Sequence, residues 1–352
     1  MKPIDTSVPG IQVSEWFPQT ARQMHHIALV RSMTSTQGVH ERGNYLAHTS
    51  YFQTPTIVHP ALGAWSLRRL GSANPLLPGN ILINGSPQHP GAGYMESHLA
   101  PLPIVDPAAG LQNSAPLPGV EQADFARRTE LARMLGGRFL ERTPHRAAAA
   151  YDKIHAKAVE LMRSKDLKAF DISQEDPAVR AAYGDHTFGQ GCLLARRLIE
   201  HGVRYVEVED EQNWDTHNDQ LVQMERMTPT ADQSFAALLT DLQQRGLLES
   251  TLVVMATEFG RTPQINTVTA GRGHHPAAFT WWLAGGGMKG GFVYGKSDEA
   301  GDRVAENPVE MPDLNATIAL AMGIDLEKTE TSPSGRPFTV ADKGKPVMEL
   351  FA

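Results

Sequence analysis

The sequence predicts an α/β fold, a three-layer αβα sandwich around a mostly parallel sheet. Two observations carry that expectation. Short apolar runs rich in Val, Ile and aromatics recur along the chain, and helical patterns hand over directly to two of them. "FGQGCLLARRLIEHG" stops at Gly202, a helix-ending glycine, and "VRYVEVED" follows at once. The stretch from about Asp219 to Arg245 repeats the move: Phe235, Leu238, Leu239 and Leu242 fall at helical spacing, Gly246 ends it, and "TLVVMATEFG" comes next. Helix then strand, twice over, is how a parallel sheet covered on both faces reads.

Five strands are expected, in order: "HIALVRSM" from His26, "NILING" from Asn80, "VRYVEVED" from Val203, "TLVVMATE" from Thr251 and "FTWWLA" from Phe279. After the first, "SMTSTQGVHERGNY" reads as a turn into a helix beginning near His40. Residues 84 to 119 hold seven prolines, too many for a regular element, and are read as a loop covering an active site. Residues 121 to 183 are mostly helical, with amphipathic periodicity in "FARRTELARMLGGRFLERT" and "RAAAAYDKIHAKAVELMRS" on both sides of a break at Thr143 and Pro144. They are read as a helical insertion. Residues 1 to 352 are taken as a single domain without internal repeats.

Composition narrows the partners. With 41% hydrophobic and 20% charged residues in 352, the chain can bury a core, and it holds no apolar tract of eighteen residues, so no membrane span is expected. A formal charge of −7, from 39 acids and 32 bases without a long basic run, does not suggest nucleic acid or anionic lipid. A small-molecule or sugar partner fits better. The single cysteine, Cys192, shares a helical face with Phe188, Ala195 and Ile199 and is expected in the core, so no disulfide framework forms and the compartment stays open. The start, "MKPIDTSVPGIQ", has one lysine and no apolar h-region, which gives no sign of a signal peptide.

Four groups of residues could carry chemistry. In "NWDTHND", Asp215 and His217 are two apart, so an extended backbone would point both the same way, as a mixed carboxylate and imidazole ligand pair requires; an Asx-type turn capping the next helix is the alternative. Glu258 and Arg261 close an apolar run, where they form either a surface ion pair or part of a site. His274 and His275 sit among glycines in "GRGHHPAAF", either solvent-facing or ligating. Thr34, Ser35 and Thr36 precede the helix near His40, either as N-caps or beside free amides that could hold an anion. The argument for a site is convergence: each of the first three groups follows or borders an expected strand, where open α/β sheets bind ligands.

In order from about residue 3 to 325, the chain resembles the bacterial family labelled domain of unknown function 1501. The resemblance rests on "LVRSMTSTQGVHERGNY", "FGQGCLLARRLIEHGVRYVEVE", "NWDTHND", "EFGRTPQIN", "GRGHHPAAFTWWLAGGGMKGG", "YGKSDEAG" and "DLNATIALAMGI". That family is grouped with the alkaline-phosphatase and sulfatase superfamily, and its own reaction is unsettled. The resemblance implies an alkaline-phosphatase-like fold in which Asp215 and His217 form the Asp/His pair of one metal site and His274 completes it. Glu258 stands where the superfamily places the aspartate of a second site, but Phe259 replaces the usual next histidine. Thr36 precedes His40 by four residues, as the nucleophile precedes a histidine in phosphoglycerate mutases of the superfamily. "DLNATIALAMGI" resembles its final helix and is expected to be structural.

Members of the family usually begin with a twin-arginine export signal, a first strand and a Gly-Gly-Pro loop bearing an aspartate, ahead of the equivalent of "IDTSVPGIQVSEWFP". The resemblance therefore suggests a periplasmic or exported protein that, if the sequence is complete, lacks a central strand and one ligand aspartate; the alternative is that the true start lies upstream. The resemblance implies a metal-dependent hydrolase of phosphate or sulfate esters, holding zinc, with manganese or calcium as alternatives. Asp215, His217, His274 and Glu258 would be ligands, and Thr36, His40, Glu258 and Arg261 would act in catalysis. The rival is a non-catalytic, envelope-associated or carbohydrate-binding protein on the same fold. Isomerase or transferase chemistry on the same residues completes the set of readings.

Overall fold

The computed structural model describes residues 2–143 and 146–352, so the Pro144 half of the expected helix break lies outside the described residues. The strands that matter for the site are β1 (Ile27–Thr34), β2 (Asn80–Ile83), β3 (Leu102–Ile104), β4 (Tyr205–Val208) and β5 (Val253–Met255). They are followed by β6 (Gly260–Arg261), β7 (His274–His275), β8 (Phe279–Ala284), β9 (Phe292–Tyr294) and β10 (Val309–Glu310). The helices are α1 (His40–Thr49), α2 (Leu62–Leu70), α3 (Gln122–Arg142), α4 (Arg146–Arg163), α5 (Pro177–Tyr183), α6 (Thr187–Glu200), α7 (Gln220–Gln244) and α8 (Met311–Ala321).

The strands form a mixed α/β core in which a five-stranded and a three-stranded sheet are the largest. The five-stranded sheet runs in the order β9-β1-β8-β5, with β10 pairing the end of β1. It is mixed: β9 and β10 are parallel to β1, whereas β8 is antiparallel to both β1 and β5. The three-stranded sheet, β3-β2-β4, is parallel throughout. Thus the expected single, mostly parallel sheet is found as a parallel piece and a mixed piece. The antiparallel strand is β8, "FTWWLA", which enters through the short β6–β7 hairpin instead of a crossover helix.

The two sheets share their covering. Tyr205 of β4 and Val254 of β5 pack against one apolar cluster, built on Trp65, Trp281, Leu314 and their neighbours. On the other face Phe235 and Leu238 of α7 touch both the cluster around Leu193 and Leu194, which takes Val206 and Val208, and the one around Trp282, which takes Val253 and Met255. Residues of β4 and β5 therefore alternate between the same two covers, although each strand pairs on one side only. Every residue in the two strands is half-buried, because one edge of each has no neighbour among the described strands.

A second correction concerns the proline-rich stretch, which contains a strand after all. Pro103 is the middle residue of β3, and β3 lies at the sheet edge, where a missing N–H leaves no ladder bond unmade. The five expected strands and the helices at 40–49, 187–200 and 220–244 fall on the patterned segments, whereas α2, β9 and β10 carried no expectation. Cys192 is buried, with its thiol pushed up to about 12 by burial.

Candidate metal centre

Two chain segments deliver the site. Beyond β5 the chain passes Glu258 and Phe259 into the β6–β7 hairpin, whose register sets Arg261 opposite His274 and Gly260 opposite His275. Beyond β4 it runs irregularly to Asp215 and His217, and the backbone N–H of His217 donates to the carbonyl of Asp215 at 2.9 Å, a tight turn in place of the expected extended pair. The hairpin loop clamps this turn: the amides of Asp219, Gln220 and Arg272 donate to Thr269, Ala270 and, in return, Thr216. Gly271 is required there, because a Cβ would fall 1.9 Å from the carbonyl oxygen of His217. Neither Asp215 nor Asp219 caps α7 through its side chain, so the capping alternative does not account for them.

The side chains then meet at Asp215. Its Oδ1 lies 2.6 Å from Arg261 Nη1, 2.9 Å from His217 Nε2, 3.1 Å from His274 Nε2 and 3.4 Å from His40 Nε2. The Nε2 atoms of His217 and His274 are 3.0 Å apart. His40, the first residue of α1, donates from Nδ1 to Glu258 Oε1 at 2.6 Å, and His274 donates from Nδ1 to the carbonyl of Gly38 at 2.7 Å. An imidazole whose Nδ1 proton is committed to an acceptor presents its Nε2 lone pair on the other side, the orientation a metal-ligating histidine needs. Nε2 of His40 is buried and has no hydrogen-bond partner among the described residues.

Phe259 forms the floor. Its ring stacks on His274 at 4.5 Å between centroids, lies 5.0 Å from His40 and sits 5.9 Å beneath the Arg261 guanidinium. It is thus an apolar support for two imidazoles, in the place where the resemblance led one to expect another ligand. Partial burial opposes ionisation of Asp215, but the Arg261 guanidinium 2.6 Å away outweighs it, holding the carboxyl at about 2. Asp215 is therefore an anion over the whole physiological range.

Six of the seven expected site residues are brought together: His40, Asp215, His217, Glu258, Arg261 and His274. Glu258 backs His40 through Oε1. Thr36 stands apart: it is exposed, its hydroxyl accepts from its neighbour Gln37, and the N-cap of α1 is Val39 with no side-chain cap. His275 turns away and bonds the carbonyl of Asp302 at 2.8 Å. Sequence reasoning missed the ligand-like posture of His40 and the support given by Phe259. The signal for the first was present, since His40 opens a helix directly after a strand end. Among the described residues two groups offer ligand atoms within 4.8 Å of one another and could hold a cation: His40, Asp215 and His274 here, and His48, His89 and Glu207 elsewhere.

The family described as "Protein of unknown function (DUF1501)" matches residues 1–351, and the chain belongs to it. No curated protein matches. Among solved structures the PsFucS1 sulfatase from Pseudoalteromonas sp. is similar over 95% of this chain and 70% of its own, at 13% identity and a TM-score of 0.42.

Proposed function

We propose that the chain is a divalent-metal-dependent hydrolase of phosphate or sulfate esters, on a three-layer αβα sandwich of the alkaline-phosphatase type. The observation that supports it is the convergence of three imidazole Nε2 atoms on one ionised carboxylate, with His40 Nε2 buried and otherwise unpartnered. Asp215, His217, His274 and His40 would hold the ion, and a set so rich in imidazole suits zinc better than manganese or calcium, which favour oxygen donors. When bound, the metal supplies a Lewis acid that polarises an ester oxygen and lowers the pKa of a bound water.

The chain's own groups do the rest. Glu258 fixes the tautomer and ring orientation of His40, Phe259 supports both imidazoles from beneath, and Arg261 is placed to offset charge on non-bridging ester oxygens. His217 lies on the open side of the cluster, so a substrate approaches past it. One observation favours a binding protein instead: the Thr36 hydroxyl contacts Gln37 and no general base. The two readings separate in one experiment. Purified protein is assayed for bound metal by mass spectrometry and for turnover of aryl phosphates and aryl sulfates, beside Asp215→Ala and His274→Ala. Stoichiometric metal lost in both variants together with turnover supports the hydrolase; metal without turnover of either ester supports the binding protein; neither metal nor turnover ends both.

A further inference from the structure

The helical insertion carries a surface that the metal centre does not use. Helix α3 has no buried residue, and its principal neighbour is α4. Phe125, Thr129, Gly136 and Leu140 are half-buried and fall at the i, i+4 and i+7 spacings of one helix face, the one turned toward α4; Asp124 and Gly137 to either side are half-buried too. On a second face, flanking the first, Leu131, Leu135 and Phe139 follow at i, i+4 and i+8, exposed by 56%, 56% and 55%. Large apolar side chains are stabilised by leaving water, so a row of them left exposed marks a docking surface. The same face carries Arg128, Arg138 and Arg142, each three or seven residues from a member of the row, and all three are exposed.

The charge decides the occupant. Residues 121 to 163 hold nine arginines and lysines against six acids, in a chain whose net charge is −7. Scattered along the sequence these bases form no run, but the helix gathers arginines around one apolar row. A second copy would bring a predominantly acidic body and an equally basic α3, whereas an anionic bilayer meets both needs: headgroups for the guanidinium groups and acyl chains for Leu131, Leu135 and Phe139.

We propose that α3 is a peripheral membrane anchor, lying in the plane of an anionic lipid surface with its Leu131, Leu135 and Phe139 row inserted. The insertion thereby fixes the chain to a membrane without spanning it. Co-sedimentation of the full chain with phosphatidylcholine vesicles, with and without about one third phosphatidylglycerol, tests this. The expected result is sedimentation with the anionic vesicles only, weakened by salt. It is lost in Leu135→Asp/Phe139→Asp and reduced about ten-fold in Arg138→Glu/Arg142→Glu. Because α3 buries nothing in the core, both double variants should keep the wild-type thermal midpoint and circular dichroism, which separates loss of binding from loss of fold. Wild-type protein that stays in solution with both vesicles overturns the proposal. So does a concentration-dependent dimer abolished by Leu135→Asp/Phe139→Asp, which would make a second copy the occupant.

Discussion

Helix α1 carries a histidine at each end, and each end meets a carboxylate, yet the two clusters are built differently. At its start His40 meets Asp215 with Glu258 behind it, and His274 is held by Gly38; the Nε2 atoms face inward toward one oxygen. In its last turn His48 donates from Nε2 to Glu207 Oε1 at 2.6 Å, while His89 approaches Oε2 of the same carboxylate at 3.5 Å. His89 Nδ1 accepts the amide of Gly91 at 3.0 Å, which leaves the ring proton on Nε2, pointed at Glu207. The second cluster thus satisfies itself with protons, and the first leaves lone pairs unanswered. Ligand type and spacing are alike in both; what separates them is the proton count. His48 Nδ1 also faces a carbonyl, that of Asn44 at 2.7 Å, so the ring has an acceptor at both nitrogens and is held as a cation, and His89 Nδ1 accepts where His274 Nδ1 donates.

Breaking the self-satisfied cluster should have the largest effect. Glu207→Gln leaves a charged, half-buried His48 without its partner and is expected to cost about 1.5–3 kcal/mol in urea unfolding while zinc affinity is unchanged. A second equivalent of zinc that disappears in this variant would show that the two clusters are alike after all.

The ligand-ready cluster should respond in the opposite way. Glu258→Ala frees Nδ1 of His40, and isothermal titration with zinc is expected to show about a 10–100-fold loss of affinity with little change in the unfolding midpoint. Equal zinc affinity in the variant and wild type would remove Glu258 from the site.

The smallest effect, and the one that sharpens the contrast, is in pH. Burial works against charging His48, but the Glu207 carboxylate prevails and raises it from 6.5 to about 9. Its contribution is full below 6.5 and is lost as pH rises through about 9. Asp215 is depressed from 3.8 to about 2, so its contribution is present above 3.8 and is lost as pH falls through about 2. Thermal midpoints followed in chelator should decline on the alkaline side through the His48 pair and on the acid side through Asp215. Glu207→Gln should flatten the alkaline limb and also make the acid limb shallower, because His48 and His89 hold the Glu207 carboxyl well below the usual carboxylate range; an alkaline limb unchanged in that variant would detach it from His48.

Much of this was legible in advance, for local reasons. "FTWWLA" became a strand over the very residues that alternation and aromatic content marked, and "FGQGCLLARRLIEHG" became a helix ended by a positive-φ Gly202. Residues 215 to 274 could be nominated as one site because each group stood at or near a strand end. What could not be read was pairing. The antiparallel placement of β8, the strand status of Pro103 and the half-exposed state of β4 and β5 depend on neighbours far along the chain. Likewise "no basic run" was a true statement about sequence that missed a basic face, since a helix brings together residues three, four and seven apart.

By itself, then, the sequence determined most helices and the principal strands through short-range periodicity and turn chemistry, and, through its motifs, the family to which the chain belongs. Only the tertiary structure decided that His40 joins Asp215, His217 and His274, that His275 turns to Asp302, and that Phe259 supports the imidazoles as an apolar floor. The physical reason is that an imidazole's role depends on which acceptor takes its other nitrogen's proton, and those acceptors, Glu258 and Gly38, lie 218 and 236 residues away from their histidines.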